Sequence, residues 1–316
     1  MTGVRFPAAV RLVEVGPRDG LQNETGFVPT AVKARWIGML VDAGLREIEA
    51  TSFVAPARVP QLADAEALMA LLPVTPGVRY AALVPNEQGL ERARHAGLET
   101  VAVFTAASES FTRHNIGCGI DESLARFVPV VRESHRRGLR VRAYVSTVIG
   151  CPYEGPVRPE RVREVCARLL ELSVDEISLG DTIGVGTPAS TLALLRAVGD
   201  IVALNRLAVH FHDTYGTALA NICTALDHGV TTVDCATGGL GGCPYAPGAR
   251  GNVATEDVVY LLEGSGVRTG VDLPRLLEAV DFIAAVLGHA PRSRTAQVPR
   301  GRLWWPPGGT PSPTGD

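Results

Sequence analysis

The stretch RLVEVGPRDGLQNE, residues 11–24, begins as a short apolar run and continues into a polar loop. Two fold classes accommodate an early strand of this kind, an open doubly wound sheet and a closed (β/α)8 barrel. An open sheet that binds a nucleotide carries a glycine-rich GxGxxG loop after its first strand. The loop GPRDGLQNE (16–24) lacks that pattern, and its absence favours the barrel.

Seven further β-branched or aliphatic runs follow, each succeeded by a polar or glycine-rich loop and a segment of helical periodicity. The eight predicted strands cover residues 11–15, 47–52, 79–84, 100–105, 140–146, 176–181, 207–213 and 231–237. Predicted helices include residues 30–44, 121–138 and 187–202. Eight such units predict a single-domain α/β protein, a (β/α)8 TIM barrel over residues 1–290. We expect the Pro/Gly/Arg-rich tail, 291–316, to be disordered.

The composition narrows the class of function. The 316 residues carry 30 basic and 33 acidic side chains, and no basic block stands out, so neither nucleic acid nor a membrane surface is favoured as a partner. No apolar stretch approaches the roughly 20 residues of a membrane helix. The N-terminus lacks a signal-peptide core, and the six cysteines form no CxxC pair. We therefore expect a cytoplasmic protein with free thiols.

Two histidines stand one residue apart in AVHFHDTYG (208–216). Side chains alternate across a strand, so His210 and His212 share a face. Only the eighth strand separates the first from the seventh in a barrel, which brings Asp19 within reach of both histidines. With an amide oxygen from Asn252, these residues form a mixed nitrogen and oxygen site that suits Mg²⁺, Mn²⁺, Co²⁺ or Zn²⁺. The alternative interpretation is a pair of buried structural histidines.

Other polar side chains stand where predicted strands end, which is the functional face of a barrel. Arg18 could be an ion-pair partner of Asp19 or could stabilise an oxyanion. Cys243, in a glycine-rich loop, could be an inert thiol or a proton donor. GVGTP (184–188) could hold an anion at a helix start or simply form a turn. The remaining polar residues at these positions are Glu49, Tyr144, Asp181 and Thr182.

Lys33 is the only lysine in the chain. Barrel enzymes often cleave carbon–carbon bonds through a lysine Schiff base, but we expect Lys33, on the helix after the first strand, to face away from the barrel mouth. A Schiff-base aldolase and a pyridoxal-phosphate enzyme are therefore both disfavoured. A barrel that makes or breaks carbon–carbon bonds without such a lysine needs a metal ion as Lewis acid.

Five longer motifs carry a family resemblance: VEVGPRDGLQNE, GCPYEGPV, SLGDTIGVGTP, VHFHDTYGTALAN and GGLGGCPYAPGARGNVATED. Together they resemble the hydroxymethylglutaryl-CoA lyase family, part of a wider group of metal-dependent barrels that includes isopropylmalate and homocitrate synthases. The resemblance implies cleavage of 3-hydroxy-3-methylglutaryl-CoA to acetyl-CoA and acetoacetate, a step of leucine degradation. It also implies a small-molecule acyl-CoA substrate, a divalent metal (Mg²⁺ or Mn²⁺) and a homodimer.

The resemblance further implies roles for individual residues. Arg18 matches the arginine that stabilises the enolate of the departing acetyl-CoA, and Cys243 matches a cysteine that aids proton transfer. Asp19 or His210 takes the proton from the substrate hydroxyl. The residues that match metal ligands are Asp19, His210, His212 and Asn252. The residues at substrate-binding or supporting positions are Gln22, Glu49, Tyr144, Asp181, Thr182 and Glu256.

Departures from the family pattern leave alternatives open. FTAASE (104–109) has a threonine where glycine is more usual, and Arg250 stands where a small residue is expected. One alternative is a lyase for a longer branched 3-hydroxyglutaryl-CoA, in which Thr105 and Ser146 would set the pocket size. A second is a Claisen-type synthase that joins an acyl-CoA to a 2-oxo acid, although such synthases usually carry a further C-terminal region. A third is a non-catalytic barrel stabilised by metal, which would need neither Arg18 nor Cys243.

Overall fold

The structure is a computed structural model that describes residues 5–242 and 251–299. Its strands are β1 (Arg11–Glu14), β2 (Glu47–Ser52), β3 (Arg79–Leu83), β4 (Thr100–Ala106), β5 (Arg140–Ser146), β6 (Gly150–Cys151), β7 (Gly155–Pro156), β8 (Glu176–Asp181), β9 (Leu207–Phe211) and β10 (Thr232–Cys235). Its α-helices are α1 (Thr30–Asp42), α2 (Ala65–Leu71), α3 (Glu87–Arg94), α4 (Glu109–Ile116), α5 (Ile120–Arg136), α6 (Pro159–Glu171), α7 (Pro188–Gly199), α8 (Ala218–His228), α9 (Thr255–Gly264), α10 (Leu273–Leu287) and α11 (Arg294–Gln297).

Eight parallel strands close into a barrel in the order β1-β10-β9-β8-β5-β4-β3-β2, and β6 pairs with β7 in a separate hairpin. Closure is made by β1, which pairs with β10 through Arg11 and Thr232 and with β2 through Val13 and Glu47. The closed order confirms the predicted TIM barrel and excludes the open doubly wound sheet. It also places β10 alone between β1 and β9, so Asp19, which follows β1, lies close to the histidines at the end of β9.

The last two barrel strands are shorter than predicted. β9 ends at Phe211, and His212 pairs instead with Asn252. β10 ends at Cys235, and Thr237–Gly239 forms a tight turn in which Gly238 has a φ of 72°, a value that glycine adopts without steric cost. The polar ends of both apolar runs have therefore left the sheet and form the rim of the barrel.

The helices follow the predicted segments but end two or three residues earlier. Gly44, at the end of the predicted segment 30–44, has a φ of 103°, so the helix has already ended there. A Cβ at this glycine would lie 2.3 Å from the carbonyl oxygen of Gly270, so the close approach excludes other residues. α7 begins with a capping box, in which the backbone nitrogens and hydroxyls of Thr187 and Ser190 bond reciprocally.

The core lies between the barrel and the helices. Every residue of β2, β8 and β9 is buried, as expected for parallel strands that helices cover on the outside. On α1 the fully buried face is formed by Trp36, Ile37 and Leu40, each of which contributes roughly 1.5–3 kcal/mol through burial. No helix within the described ranges combines the length and the apolar character that crossing a membrane requires.

The segment after α10 is ordered over residues 291–299. The backbone nitrogen of Arg292 donates to the carbonyl of Gly238 at 2.9 Å, and Asp257 accepts from the backbone nitrogens of Arg294 at 3.1 Å and Thr295 at 2.8 Å. These hydrogen bonds attach the first residues of the predicted tail to the barrel, and the expectation of a largely disordered tail stays a prediction. Residues 300–316 of the predicted tail lie outside the described ranges.

Candidate active site

A cavity of about 570 Å³ opens at the carboxyl ends of the barrel strands. Arg18 and Asp19 enter it from Gly16–Gly20, a single π-helical turn after β1. The backbone nitrogen of Gly20 donates to the carbonyl of Val15 at 3.3 Å and closes this wide turn, which carries both side chains over the barrel mouth. The predicted site residues that line the cavity are Arg18, Asp19, Gln22, Tyr144, Thr182, His210 and His212.

Asp19, His210 and His212 form a compact cluster at the base of the cavity. Each offers one ligand atom, and these atoms all lie within 4.8 Å of one another. Nε2 of His210 lies 3.8 Å from Oδ2 of Asp19, and the two imidazole ring centres are 5.6 Å apart. The shared face that strand alternation predicted for the two histidines is therefore present.

The chemistry of this cluster fits a divalent cation. Nδ1 of His212 is buried and has no hydrogen-bond partner in the part of the chain that is described, a costly state that a bound ion would relieve. Burial and the nearby His210 lower the pKa of His212 to about 4, so its imidazole is neutral at physiological pH. Burial alone would raise the pKa of Asp19, but Arg18 and the two histidines lower it below its usual value. Two imidazole nitrogens and a carboxylate are a donor set that divalent metals accept.

Asn252 reaches the same cluster. Its Nδ2 donates to Oδ2 of Asp19 at 2.8 Å and to the carbonyl of Leu240 at 3.0 Å, and its backbone pairs with His212. The structure thus brings all four predicted ligands together, with Asn252 as a hydrogen-bond partner of Asp19.

Arg18 is held from two sides. Its Nε donates to Oε1 of Glu49 at 2.9 Å and its Nη2 to Oε2 at 3.3 Å, while Nη1 donates to Oδ1 of Asp19 at 2.6 Å. Burial alone would lower the pKa of Arg18, but Glu49 and Asp19 outweigh it and raise the pKa above its usual value. The guanidinium is therefore a permanent cation with its plane fixed by the Glu49 fork. Arg18 is both an ion-pair partner and a cavity-lining residue, so the two roles do not exclude each other.

Behind Arg18, a chain of buried side chains crosses the barrel interior. The hydroxyl of Tyr144 donates to Glu49, and Nη1 of Arg142 lies 2.9 Å from that hydroxyl. Nη2 of Arg142 donates to Asp234 at 2.5 Å, and Asp234 in turn lies 3.3 Å from Nδ1 of His210. This chain connects the Arg18 side of the cavity with the histidine side.

The sequence reasoning missed Arg142 and Asp234. Both carried a readable signal: Arg142 precedes Tyr144 by two residues and so shares its face, and Asp234 is a carboxylate within a short apolar strand. Glu14, the last residue of β1, is another buried carboxylate that was not predicted. It accepts from the backbone nitrogens of Gly16 and Thr237, each at 2.8 Å, and so ties the turn after β1 to the turn after β10.

Three of the predicted supporting residues hold loops or the rim rather than reacting atoms. Asp181 accepts from the backbone nitrogens of Val185 at 3.2 Å and Gly186 at 2.7 Å, so its own carboxylate takes up the nitrogens that an anion would need there. Both oxygens of Glu256 lie 3.1 Å from the backbone nitrogen of Gly238, and burial raises the pKa of this carboxyl to about 7. Thr182 accepts from the backbone nitrogen of Thr147 at 2.8 Å.

The remaining expectations concern residues around the site. Ser146 lines the cavity, whereas Thr105 is not among the lining residues, and its hydroxyl lies 2.8 Å from that of Ser123 on α5. Nζ of Lys33 donates to Asp64 at 2.6 Å, in agreement with its expected position away from the reacting atoms. Cys243 and Arg250 lie outside the described residues.

Sequence and structure comparisons each match this chain to hydroxymethylglutaryl-CoA lyases. The sequence pattern of a family described as HMGL-like matches residues 9–283. The mitochondrial hydroxymethylglutaryl-CoA lyase of Bos taurus is 54% identical over 93% of this chain and 90% of its own length. The crystal structure of hydroxymethylglutaryl-CoA lyase from Pseudomonas aeruginosa superposes with a TM-score of 0.90 at 52% identity, over 92% of this chain and 97% of that one. An HMG-CoA lyase from Acinetobacter baumannii, solved with coenzyme A and 3-methylmalate, has a TM-score of 0.90 at 34% identity, over 97% of this chain and 99% of that one.

Proposed function

Because this chain belongs to the HMGL-like family, we propose that it is a carbon–carbon lyase that cleaves 3-hydroxy-3-methylglutaryl-CoA to acetyl-CoA and acetoacetate. The observation that carries the proposal is the cluster of Asp19, His210 and His212 beside the fixed guanidinium of Arg18 at the base of one cavity. A bound cation next to a permanent organic cation is what the reaction needs, because negative charge develops at two oxygens of the substrate.

The family is dependent on a divalent metal, and the residues that would hold it are Asp19, His210, His212 and Asn252. When bound, the ion supplies Lewis acidity toward the tertiary hydroxyl and the carboxylate of the substrate. We propose Mg²⁺ or Mn²⁺ as the native metal, which the mixed oxygen and nitrogen donors support.

Removal of the hydroxyl proton begins the cleavage. Asp19 and His210 are the candidate bases, and both lie in the cluster with 3.8 Å between Oδ2 and Nε2. As the proton leaves, the carbon that carried the hydroxyl becomes the ketone carbon of acetoacetate. The bond from this carbon to the methylene beside the thioester breaks. The bonding electrons pass to the thioester as an enolate.

Arg18 stabilises that enolate. Three of its five N–H groups donate to Glu49 and Asp19, and within the described residues the other two face no acceptor, so they can serve the enolate oxygen. Glu49 and Tyr144 hold the guanidinium in place before the charge develops, and such preorganisation makes a charged donor effective. The enolate then takes up a proton to give acetyl-CoA, and we propose that Cys243 supplies it.

We propose that the coenzyme A portion lies against the part of the cavity lining formed by Arg58, His114 and Arg126, because cationic and hydrogen-bonding side chains suit phosphate groups. The Acinetobacter relative, whose structure is described as a complex with coenzyme A, supports an acyl-CoA as the substrate class.

Two further assignments belong to this proposal. We propose that the chain forms a homodimer, which sedimentation equilibrium tests directly. We also propose a cytoplasmic location. Among similar proteins one rat lyase, 53% identical, is named cytoplasmic, whereas a second rat lyase of 53% identity and the bovine enzyme are named mitochondrial.

The experiment that tests the reaction is acetoacetate release from hydroxymethylglutaryl-CoA by the purified protein supplied with Mg²⁺ or Mn²⁺. Longer branched 3-hydroxyglutaryl-CoA analogues are run beside it, and an acyl-CoA with a 2-oxo acid tests the condensing direction. We expect cleavage of hydroxymethylglutaryl-CoA with the highest kcat/KM. If neither hydroxymethylglutaryl-CoA nor its analogues are cleaved, the lyase assignment is wrong.

A further inference from the structure

Asp234 lies beside His210 and is not among the residues proposed to act on the substrate. It is the register partner of His210, on β10 where His210 is on β9. Its Oδ2 lies 3.3 Å from Nδ1 of His210, and its side chain is completely buried. An ionised carboxylate in such a place needs several donors, and its surroundings provide them.

Two other donors hold Asp234. The hydroxyl of Ser178 donates to Oδ2 at 2.7 Å, and Nη2 of Arg142 donates to Oδ1 at 2.5 Å. Arg142 is itself anchored to Glu176 through Nε at 2.7 Å. Because an ionised carboxylate only accepts, the hydrogen bond between Asp234 and His210 requires the proton to reside on Nδ1 of the imidazole.

A neutral imidazole with its proton on Nδ1 carries its lone pair on Nε2. In His210 this is the nitrogen that faces the cluster, 3.8 Å from Oδ2 of Asp19. The ring of Tyr144 packs edge-on against His210 with a centroid distance of 5.8 Å, which limits rotation of the imidazole. The tautomer and the orientation are thus set from the side away from the cavity.

We propose that Asp234, held by Arg142 and Ser178, is a positioning residue that keeps the proton of His210 on Nδ1 and presents Nε2 to the divalent cation. The inference deepens the proposed function and rests on it, because it assigns Nε2 of His210 to the metal and so leaves Asp19, of the two candidate bases, to take the hydroxyl proton. Partners of this kind typically alter metal affinity by about 10- to 100-fold when they are removed.

Asp234→Asn tests the proposal while preserving the shape of the side chain. Arg142 only donates, so the single acceptor oxygen of the asparagine takes the place of Oδ1, and its amide nitrogen takes the place of Oδ2, beside Ser178 and His210. Its amide hydrogens must therefore meet His210, which favours a proton on Nε2 and blocks the lone pair. We expect the affinity of the metal-free protein for Mn²⁺, measured from the free-ion signal in electron paramagnetic resonance, to fall about 10- to 100-fold. Unchanged affinity in a folded Asp234→Asn variant overturns the proposal.

Glu176→Gln is the matched control. It removes the same charge from the same guanidinium, since Glu176 bonds to Nε of Arg142, but the structure shows no contact between Glu176 and His210. We expect its Mn²⁺ affinity to stay within about threefold of the wild-type value. If Glu176→Gln weakens Mn²⁺ binding as much as Asp234→Asn does, Asp234 acts through charge balance, and its assignment as a positioning residue is overturned.

A measurement on the unaltered protein keeps the proposal testable even if Asp234→Asn does not fold. Histidine ring ¹⁵N shifts of the metal-free protein report the tautomer, and the spectrum of His210→Gln identifies the His210 signals. We expect a proton on Nδ1 of His210, and a proton on Nε2 overturns the proposal. Failure of the wild-type protein to bind Mn²⁺ would instead refute the proposed metal site, so the two failures are distinguishable.

Discussion

Replacement of Glu256 by glutamine should change how the stability of the protein depends on pH. Glu256 is completely buried at the start of α9, with both carboxyl oxygens 3.1 Å from the backbone nitrogen of Gly238. Burial raises the pKa of this carboxyl from 4.5 to about 7. The folded protein therefore favours the neutral carboxylic acid, which Glu256→Gln imitates at every pH.

The direction and the size of the change in the free energy of unfolding follow from proton linkage. Between pH 4.5 and 7 the folded state binds more protons at Glu256 than the unfolded state does, so the free energy of unfolding falls as pH rises. The stabilisation is fully present below pH 4.5 and is lost above 7, a change on the order of 3 kcal/mol for a shift of this size. At roughly 2.1 cal/mol/K of unfolding entropy per residue, the 316 residues convert that energy into about 4 to 5 °C in Tm. Glu256→Gln should not show this loss.

Thermal melts followed by circular dichroism at pH 5, 6, 7 and 8.5 measure the effect. The quantity to follow is the Tm of Glu256→Gln minus the Tm of the wild type at each pH. This difference should increase by about 4 °C between pH 5 and pH 8.5, whatever its size at pH 5. Glu133→Gln is the control, because Arg136 and Arg137 lower the pKa of Glu133 to about 2 and its difference should stay flat. A flat difference for Glu256→Gln as well would refute the argument that burial holds Glu256 neutral.

The other predictions concern the proposed reaction. A chelator should abolish acetoacetate release and Mg²⁺ or Mn²⁺ should restore it, and His212→Ala should lose both Mn²⁺ affinity in calorimetry and rate; retained affinity would remove His212 from the ligands. Arg18→Gln should lower kcat about 10²- to 10³-fold in steady-state assays, with a smaller change in KM, because the enolate charge exists only during the reaction; a change confined to KM would contradict that role. Cys243→Ala should bind Mn²⁺ normally and lose most of kcat, and a near-normal rate would exclude the thiol from proton transfer.

The local pattern of the sequence was sufficient for the fold. Eight apolar runs, each with a helical segment after it, predicted a barrel, and the loop after the first run argued against an open sheet. Three strands have the predicted bounds, β2, β5 and β8; β2 and β8 are buried along their whole length, and β5 is buried except at its two end residues. The ends of β9 and β10 were misplaced because His212 pairs with Asn252, and the backbone nitrogen of Thr237 donates to the side chain of Glu14, so neither residue extends its barrel strand.

For the candidate site, motifs and alternation were enough to select residues but not to relate them to one another. Asp19, His210 and His212 could be predicted as a group because barrel order is a simple consequence of strand order. That Arg18 is clamped by Glu49 was not predictable, since it depends on the rotamers of side chains 31 residues apart. The same holds for Asp181, whose carboxylate occupies the loop nitrogens that looked available to an anion.

By itself the sequence determined the (β/α)8 barrel, the donor types at its mouth and the absence of a lysine suited to Schiff-base chemistry. Periodicity and residue chemistry act locally, so they can be read along the chain. Only the tertiary structure decided that Arg142 and Asp234 lie behind His210, that Glu14 joins two rim turns and that residues 291–299 pack on the barrel. Those relations join segments far apart in the chain, and barrel closure alone brings their buried charges and unsatisfied backbone groups within bonding distance.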